Sequence, residues 1–117
     1  SYSDFAYEKI ESFKQDKRNI RVTVSVKNTS GRDGEEVVQL YASYPESKVE
    51  RPSKQLRAFR RIPIKAGETR KVTLTVPKEE LGYWNEGKQM FVVEPGTVKL
   101  LIGASSEDIR LEGKIRL

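Results

Sequence analysis

Along residues 20–26 apolar and polar side chains alternate without a break. Ile20, Val22, Val24 and Val26 interleave with Arg21, Thr23 and Ser25. A period of two sends one set to a dry face and the other to a wet one, which predicts a half-buried strand. The cluster Asn28-Thr29-Ser30-Gly31-Arg32-Asp33-Gly34 ends it, since Gly and Asn supply the backbone conformations of turns. The following run, Glu35 to Tyr44, is rich in β-branched and aromatic residues and reads as a more fully buried strand. Tyr41 is expected in its core and Tyr44, just before Pro45, partly exposed. Pro45 and Pro52 bracket a polar loop, because proline cannot donate to a strand ladder.

The segment KQLRAFRRIPI, residues 54–64, predicts another strand, but its parity is broken. Leu56 and Phe59 lie three apart, so both face inward only across a bulge, which would turn Arg57 and Arg61 away from them. Val72, Leu74 and Val76 alternate with Lys71, Thr73 and Thr75 in a further half-buried strand. Proline followed by acids in PKEEL, residues 77–81, predicts a single helical turn. Residues 90–103 read as two strands joined by a tight hairpin at Glu94-Pro95-Gly96, with Val98, Leu100 and Ile102 on the inner face. Ile109, Leu111, Ile115 and Leu117 predict a last, edge strand, and Phe5, Tyr7 and Phe13 an opening one. About seven or eight short strands with no long helix and no repeat predict one all-β domain over residues 1–117. The architecture expected is an immunoglobulin-like or fibronectin type III-like antiparallel β-sandwich.

Composition narrows the chemistry. The 117 residues contain no cysteine and no histidine. Disulfides, thiolate chemistry, Ser-His and Cys-His nucleophiles and the commonest zinc ligands are thereby removed. No catalytic residue, metal ligand or cofactor-binding residue is assigned, and no cofactor is expected. No apolar run is long enough for a membrane helix, and a secretion signal, if the protein is exported, would lie upstream. The 22 basic residues are largely mixed with 17 acids for a net charge of +5. The exception is RPSKQLRAFRRIPIK, residues 51–65, with six basic side chains and no acid. A nucleic-acid surface would interleave exposed aromatics there, and the one aromatic, Phe59, is assigned to the interior. The basic side chains are therefore read as guarding an outer strand against edge-to-edge pairing, with neither nucleic acid nor membrane as partner.

Three acidic doublets, Glu35-Glu36, Glu79-Glu80 and Glu107-Asp108, could resemble a hydrolytic pair. Neighbours in an extended segment point to opposite faces, so they read as solvated turn residues. Tyr83 and Trp84 are sharper: exposed rings can stack on a sugar, although a lone tryptophan in a small sandwich more often anchors the core or plugs its end. Asn28-Thr29-Ser30 matches the N-glycosylation acceptor pattern, a weak signal in a polar turn.

The order of these pieces resembles the C-terminal fibronectin type III-like domain of family 3 glycoside hydrolases, the β-glucosidases, β-xylosidases and their relatives. The family phrase N-T-G-x-x-x-G-x-E-V-V-Q-L-Y is matched by Asn28, Thr29, Gly31, Gly34 and Glu36 through Tyr41, with the turn shifted at Ser30-Gly31. R-P-x-K-x-L-x-x-F is matched by Arg51, Pro52, Lys54, Leu56 and Phe59, with Ala58 where a glycine is usual. Val93-Glu94-Pro95-Gly96 matches V-E-P-G, and Gly103, Ser105, Ser106 and Asp108 through Leu111 match G-x-S-S-x-D-I-R-L. The opening SYSDFAYEKIE is similar to the passage from catalytic part to this domain, so residues 1–13 would be a lead-in from an upstream domain plus the first strand. The resemblance implies a non-catalytic accessory module, monomeric when isolated, whose partners are the catalytic domains of a parent glycosidase, often periplasmic or secreted. The catalytic nucleophile and acid/base lie in those other domains. Loop 45–52 and the corner of Tyr44, Arg51, Tyr83 and Trp84 are the expected domain-contact or ligand surface. A carbohydrate-binding or protein-interaction module is the alternative.

Overall fold

A computed structural model describes residues 4–117. Nine strands are joined by short turns: β1 (Phe5–Gln15), β2 (Asn19–Asn28), β3 (Gly34–Ser43), β4 (Gln55–Ile64), β5 (Thr69–Pro77), β6 (Tyr83–Asn85), β7 (Met90–Val92), β8 (Thr97–Ser105) and β9 (Asp108–Arg116). The expected helical turn forms as a 3₁₀ turn at Lys78–Leu81 with Pro77 at its N-cap. A three-stranded sheet of order β1-β2-β5 faces a four-stranded sheet of order β4-β3-β8-β9, and β6 and β7 make a small separate hairpin. Every pairing is antiparallel. No helix among the described residues is long and apolar enough to cross a membrane.

The alternating set on β2, Ile20 to Val26, is fully buried and meets Val38, Leu40, Val72, Leu74, Leu100 and Ile102 from the other strands in one continuous core. Those side chains come from both sheets, which fixes the two-layer architecture. β1 reaches this core with residues three apart, Tyr7, Ile10 and Phe13. Two register shifts absorb the mismatch, so the three lie directly opposite Val26, Val24 and Val22.

Four local expectations are corrected. β3 is buried on one face only: Val38, Leu40 and Ala42 point inward, while Tyr41 lies on the outer face and is half-buried. The bulge expected in β4 exists, between the Leu40–Ala58 and Tyr41–Leu56 pairs, and leaves Arg57 without a cross-strand partner. Its effect is the reverse of that foreseen. Ala58, Ile62 and Ile64 supply the core side, so Leu56 and Phe59 both emerge on the outer face, 45% and 63% exposed. Arg61 shares that face with Phe59, not the opposite one.

The tight hairpin is not at Glu94-Pro95-Gly96 either. β7 pairs back onto β6, whereas β8 enters the four-stranded sheet, so residues 93–96 run from the separate hairpin into that sheet. The turn is made instead at 86–89, where the Asn85 side chain accepts the Lys88 amide at 2.9 Å and Gln89 adopts φ 52°. Gly96, at φ 136°, exchanges backbone hydrogen bonds with Leu117. A conformation that side chains rarely adopt thus closes β8 onto the end of the last strand.

Candidate functional site

The 45–52 loop and the segment around Tyr83 do meet, at the end of the sandwich where β3, β5 and β9 finish. Arg51 joins them from within. Its side chain is only 6% exposed, its guanidinium lies 3.8 Å from the Tyr44 ring centroid and 5.3 Å from that of Tyr83, and it donates to the Leu81 carbonyl at 3.0 Å. Such stacking suits a planar, weakly hydrated cation. Its ionic partner is Glu94, at 2.5 Å. Glu94 also accepts from the Ser47 hydroxyl at 2.6 Å and the Lys48 amide at 3.0 Å. Ser47, Arg51 and Lys48 together hold the Glu94 carboxyl down at about 2. The Tyr44 hydroxyl and Arg51 Nε are buried with no hydrogen-bond partner among the described residues.

Ser47 belongs to the expected 45–52 loop, whereas Glu94 is an addition to this corner. Glu94 was absorbed into a turn motif, and no local pattern links it to Arg51, forty-three positions away. Its carboxylate ties residues 93–96 to the loop between β3 and β4, at the same end of the sheet that β8 enters.

Trp84 neither fills the core nor plugs its end. It stands 45% exposed on β6, edge-to-face with Phe91 on β7 at 5.2 Å between centroids and 73° between planes. Tyr83 is half-buried behind it, and the hairpin carries its aromatics outward because it belongs to neither sandwich sheet. A readable signal was available: Asn85 and Gly87 between two aromatic-bearing triplets form a hairpin pattern.

The basic run is largely occupied by its own fold. Beyond Arg51, Lys54 donates to the Ser106 carbonyl at 2.6 Å, Arg57 to Gln55 at 2.8 Å and Arg61 to Glu35 at 2.8 Å, while Arg60 reaches the Thr73 carbonyl. Its strand, β4, is indeed a sheet edge. The acidic doublets are separated in the same way. Glu35 pairs with Arg61 while Glu36 accepts the Tyr7 hydroxyl at 3.0 Å, and Asp108 pairs with Arg110. Burial, then the adjoining Glu36 carboxylate, pushes the Tyr7 phenol well above its ordinary range. Among the described residues no group of three or more acids could hold a metal ion.

Asn28, the glycosylation candidate, is wholly buried. Its Nδ2 donates to the Arg32 and Ile64 carbonyls at 2.7 and 2.9 Å, and its Oδ1 accepts the Ser30 amide at 2.9 Å. The N-x-S pattern here builds a turn.

Three strands facing four, all antiparallel, with a core drawn from both layers and a polar end-corner, define a fibronectin type III-type β-sandwich. The family model described as "Fibronectin type III-like domain" matches residues 36–106, and the chain belongs to this family. Over its whole length it is 38% identical to a segment making up 16% of the thermostable beta-glucosidase B of Acetivibrio thermocellus. It is 41% identical over 97 residues, 83% of the chain and 13% of the relative, to the probable beta-glucosidase L of Aspergillus fumigatus. Among solved structures, a beta-glucosidase from Kluyveromyces marxianus superposes with a TM-score of 0.93 and 34% identity, over 99% of this chain and 14% of that one. The chain therefore spans roughly one-sixth or less of the proteins it is similar to.

Proposed function

We propose that the chain is a non-catalytic structural module of a family 3, β-glucosidase-like glycoside hydrolase, packing on the catalytic domains of a longer polypeptide and supporting their arrangement. The observation that carries this reading is the match to Acetivibrio beta-glucosidase B, which takes in all of this chain but only 16% of that enzyme. The chemistry of the chain agrees. Most of its acids and bases with notable surroundings are engaged in pairs or turns of the fold itself, and Glu94, with the most buried ion-pair partner, is held as a carboxylate by three donors. A held carboxylate is a poor proton donor near neutral pH.

The test is hydrolysis of an aryl β-glucoside by the purified chain, beside the full-length protein with and without it. No turnover by the chain is expected, together with a lower unfolding temperature of the catalytic part when the module is deleted. Turnover by the chain that a point substitution within it abolishes would overturn the proposal.

Carbohydrate binding is the second reading, favoured by the exposed Trp84 beside Tyr83. On that reading Trp84 fluorescence responds to millimolar oligosaccharide, and a flat titration removes it.

A further inference from the structure

Six large apolar side chains are exposed among the described residues: Leu56 45%, Phe59 63%, Trp84 45%, Met90 52%, Phe91 64% and Val93 39%. Two are on β4 and four on or beside the β6–β7 hairpin, and Arg57 stands between the groups. It lines a groove of about 500 Å³ with Leu56 and Phe59, and a second of about 470 Å³ with Phe91 and the Glu79-Glu80 turn. The two grooves thus share Arg57 as one wall, which links Leu56 and Phe59 on β4 to Phe91 and, opposite it in the hairpin, Trp84. The Arg57 Nε is buried there without a hydrogen-bond partner among the described residues. Arg60 borders the first groove, and Glu79 and Glu80 the second.

An apolar centre with a polar rim, and a buried donor awaiting an acceptor, is the composition of a protein interface. The hairpin adds little to the core and spends its side chains outward. The matched relatives are single chains of which this unit is 13–16%, so a covering surface in the same polypeptide is at hand.

We propose that the face formed by the β6–β7 hairpin and the start of β4 docks, around Arg57, onto another domain of the same polypeptide. The partner surface is apolar at its centre, carries a carboxylate opposite the Arg57 guanidinium, and presents a basic group to Glu79 and Glu80. This rests on the accessory-module reading and names the surface that makes the contact.

Hydroxyl-radical footprinting of the 117-residue chain and of the full-length protein containing it tests the assignment. Trp84, Phe91, Phe59 and Leu56 are expected to oxidise readily in the isolated chain and several-fold more slowly in the full-length protein. A double substitution, Trp84→Ser with Phe91→Ser, is expected to leave the unfolding temperature of the isolated chain nearly unchanged and to lower that of the full-length protein by several degrees. Equal labelling of these residues in both forms, with protection elsewhere on the module, would overturn the surface while leaving the accessory role intact. No protection anywhere would remove both. Protection that vanishes on dilution, together with a dimer in sedimentation, would assign the face to a second copy and overturn the proposal.

Discussion

The Asn28 amide closes three segments at once, the end of β2, the 28–34 turn and the end of β4, through bonds to Ile64, Arg32 and Ser30. Its backbone adds the β4–β5 turn, donating to the Glu68 carbonyl and accepting from the Gly67 amide, each at 2.9 Å. Removing the side chain takes a buried donor from the Ile64 carbonyl and the acceptor from the Ser30 amide. Asn28→Ala should therefore cost about 2–4 kcal/mol in urea unfolding, with Thr29→Ala as a mild comparison. The Glu94 carboxyl yields a prediction with a sign. Its pKa is lowered from 4.5 to about 2 in the folded protein, so its stabilising contribution is complete above 4.5 and disappears as pH falls through about 2. Glu94→Gln should unfold more easily than the parent at pH 7, and the gap between their urea midpoints should close between those two values. A constant gap across that range would show that the corner does not depend on charge. Neither residue's role was visible beforehand. Asn28 was legible as a turn former but its burial was not, because burial depends on Ile64 returning beside it from thirty-six positions away.

Among the elements, alternation of period two gives both the strand and its facing, whereas a bulge leaves the strand legible but not which side its residues take. β2 and β5 pair in unbroken register from Asn19–Pro77 to Lys27–Thr69, and both were evident from alternation alone. β4 was placed correctly as a strand and as an edge. Its facing was misjudged because a bulge can restore either of two parities, and the small Ala58 took the inward position that bulkier neighbours seemed to claim. The β8–β9 register shifts at Gly103 show what such irregularities demand. A Cβ at Gly103 would lie 2.0 Å from the Asp108 carbonyl oxygen, a backbone atom that cannot swing aside. Gly103→Ala is expected to destabilise by about 2–4 kcal/mol, whereas Gly31→Ala, with open space around it, should be close to neutral. Thermal unfolding followed by circular dichroism separates the two. A near-neutral Gly103→Ala would mean that the bulge can relax.

For the molecule as a whole, charge and edges decide solution behaviour. β4 borders the four-stranded sheet, and Phe59 beside it is more than half exposed, a combination that invites pairing with another chain. Arg57, Arg60 and Arg61 stand in the way. Replacing all three with Val or Thr should raise light scattering at micromolar concentration while far-UV circular dichroism stays that of the parent. Unchanged scattering would mean that the arginines are not what keeps the border single. The sandwich class and the domain family were legible from strand spacing and motif order. The corner's polar wiring and the outward hairpin were not, since both arise from contacts that join distant segments.

The start of β1 and the exposed hairpin lie at opposite ends of the sandwich. The Asp4 carbonyl accepts the Thr29 amide at the Asn28 end of the sandwich, while the exposed hairpin follows the 3₁₀ turn at the other end, about one ten-residue strand or roughly 30 Å away. A body joined through the start of β1 that also covered Trp84 would lie lengthwise along the module, like a splint. An upright module, touching by its tip, would hold those rings out of reach.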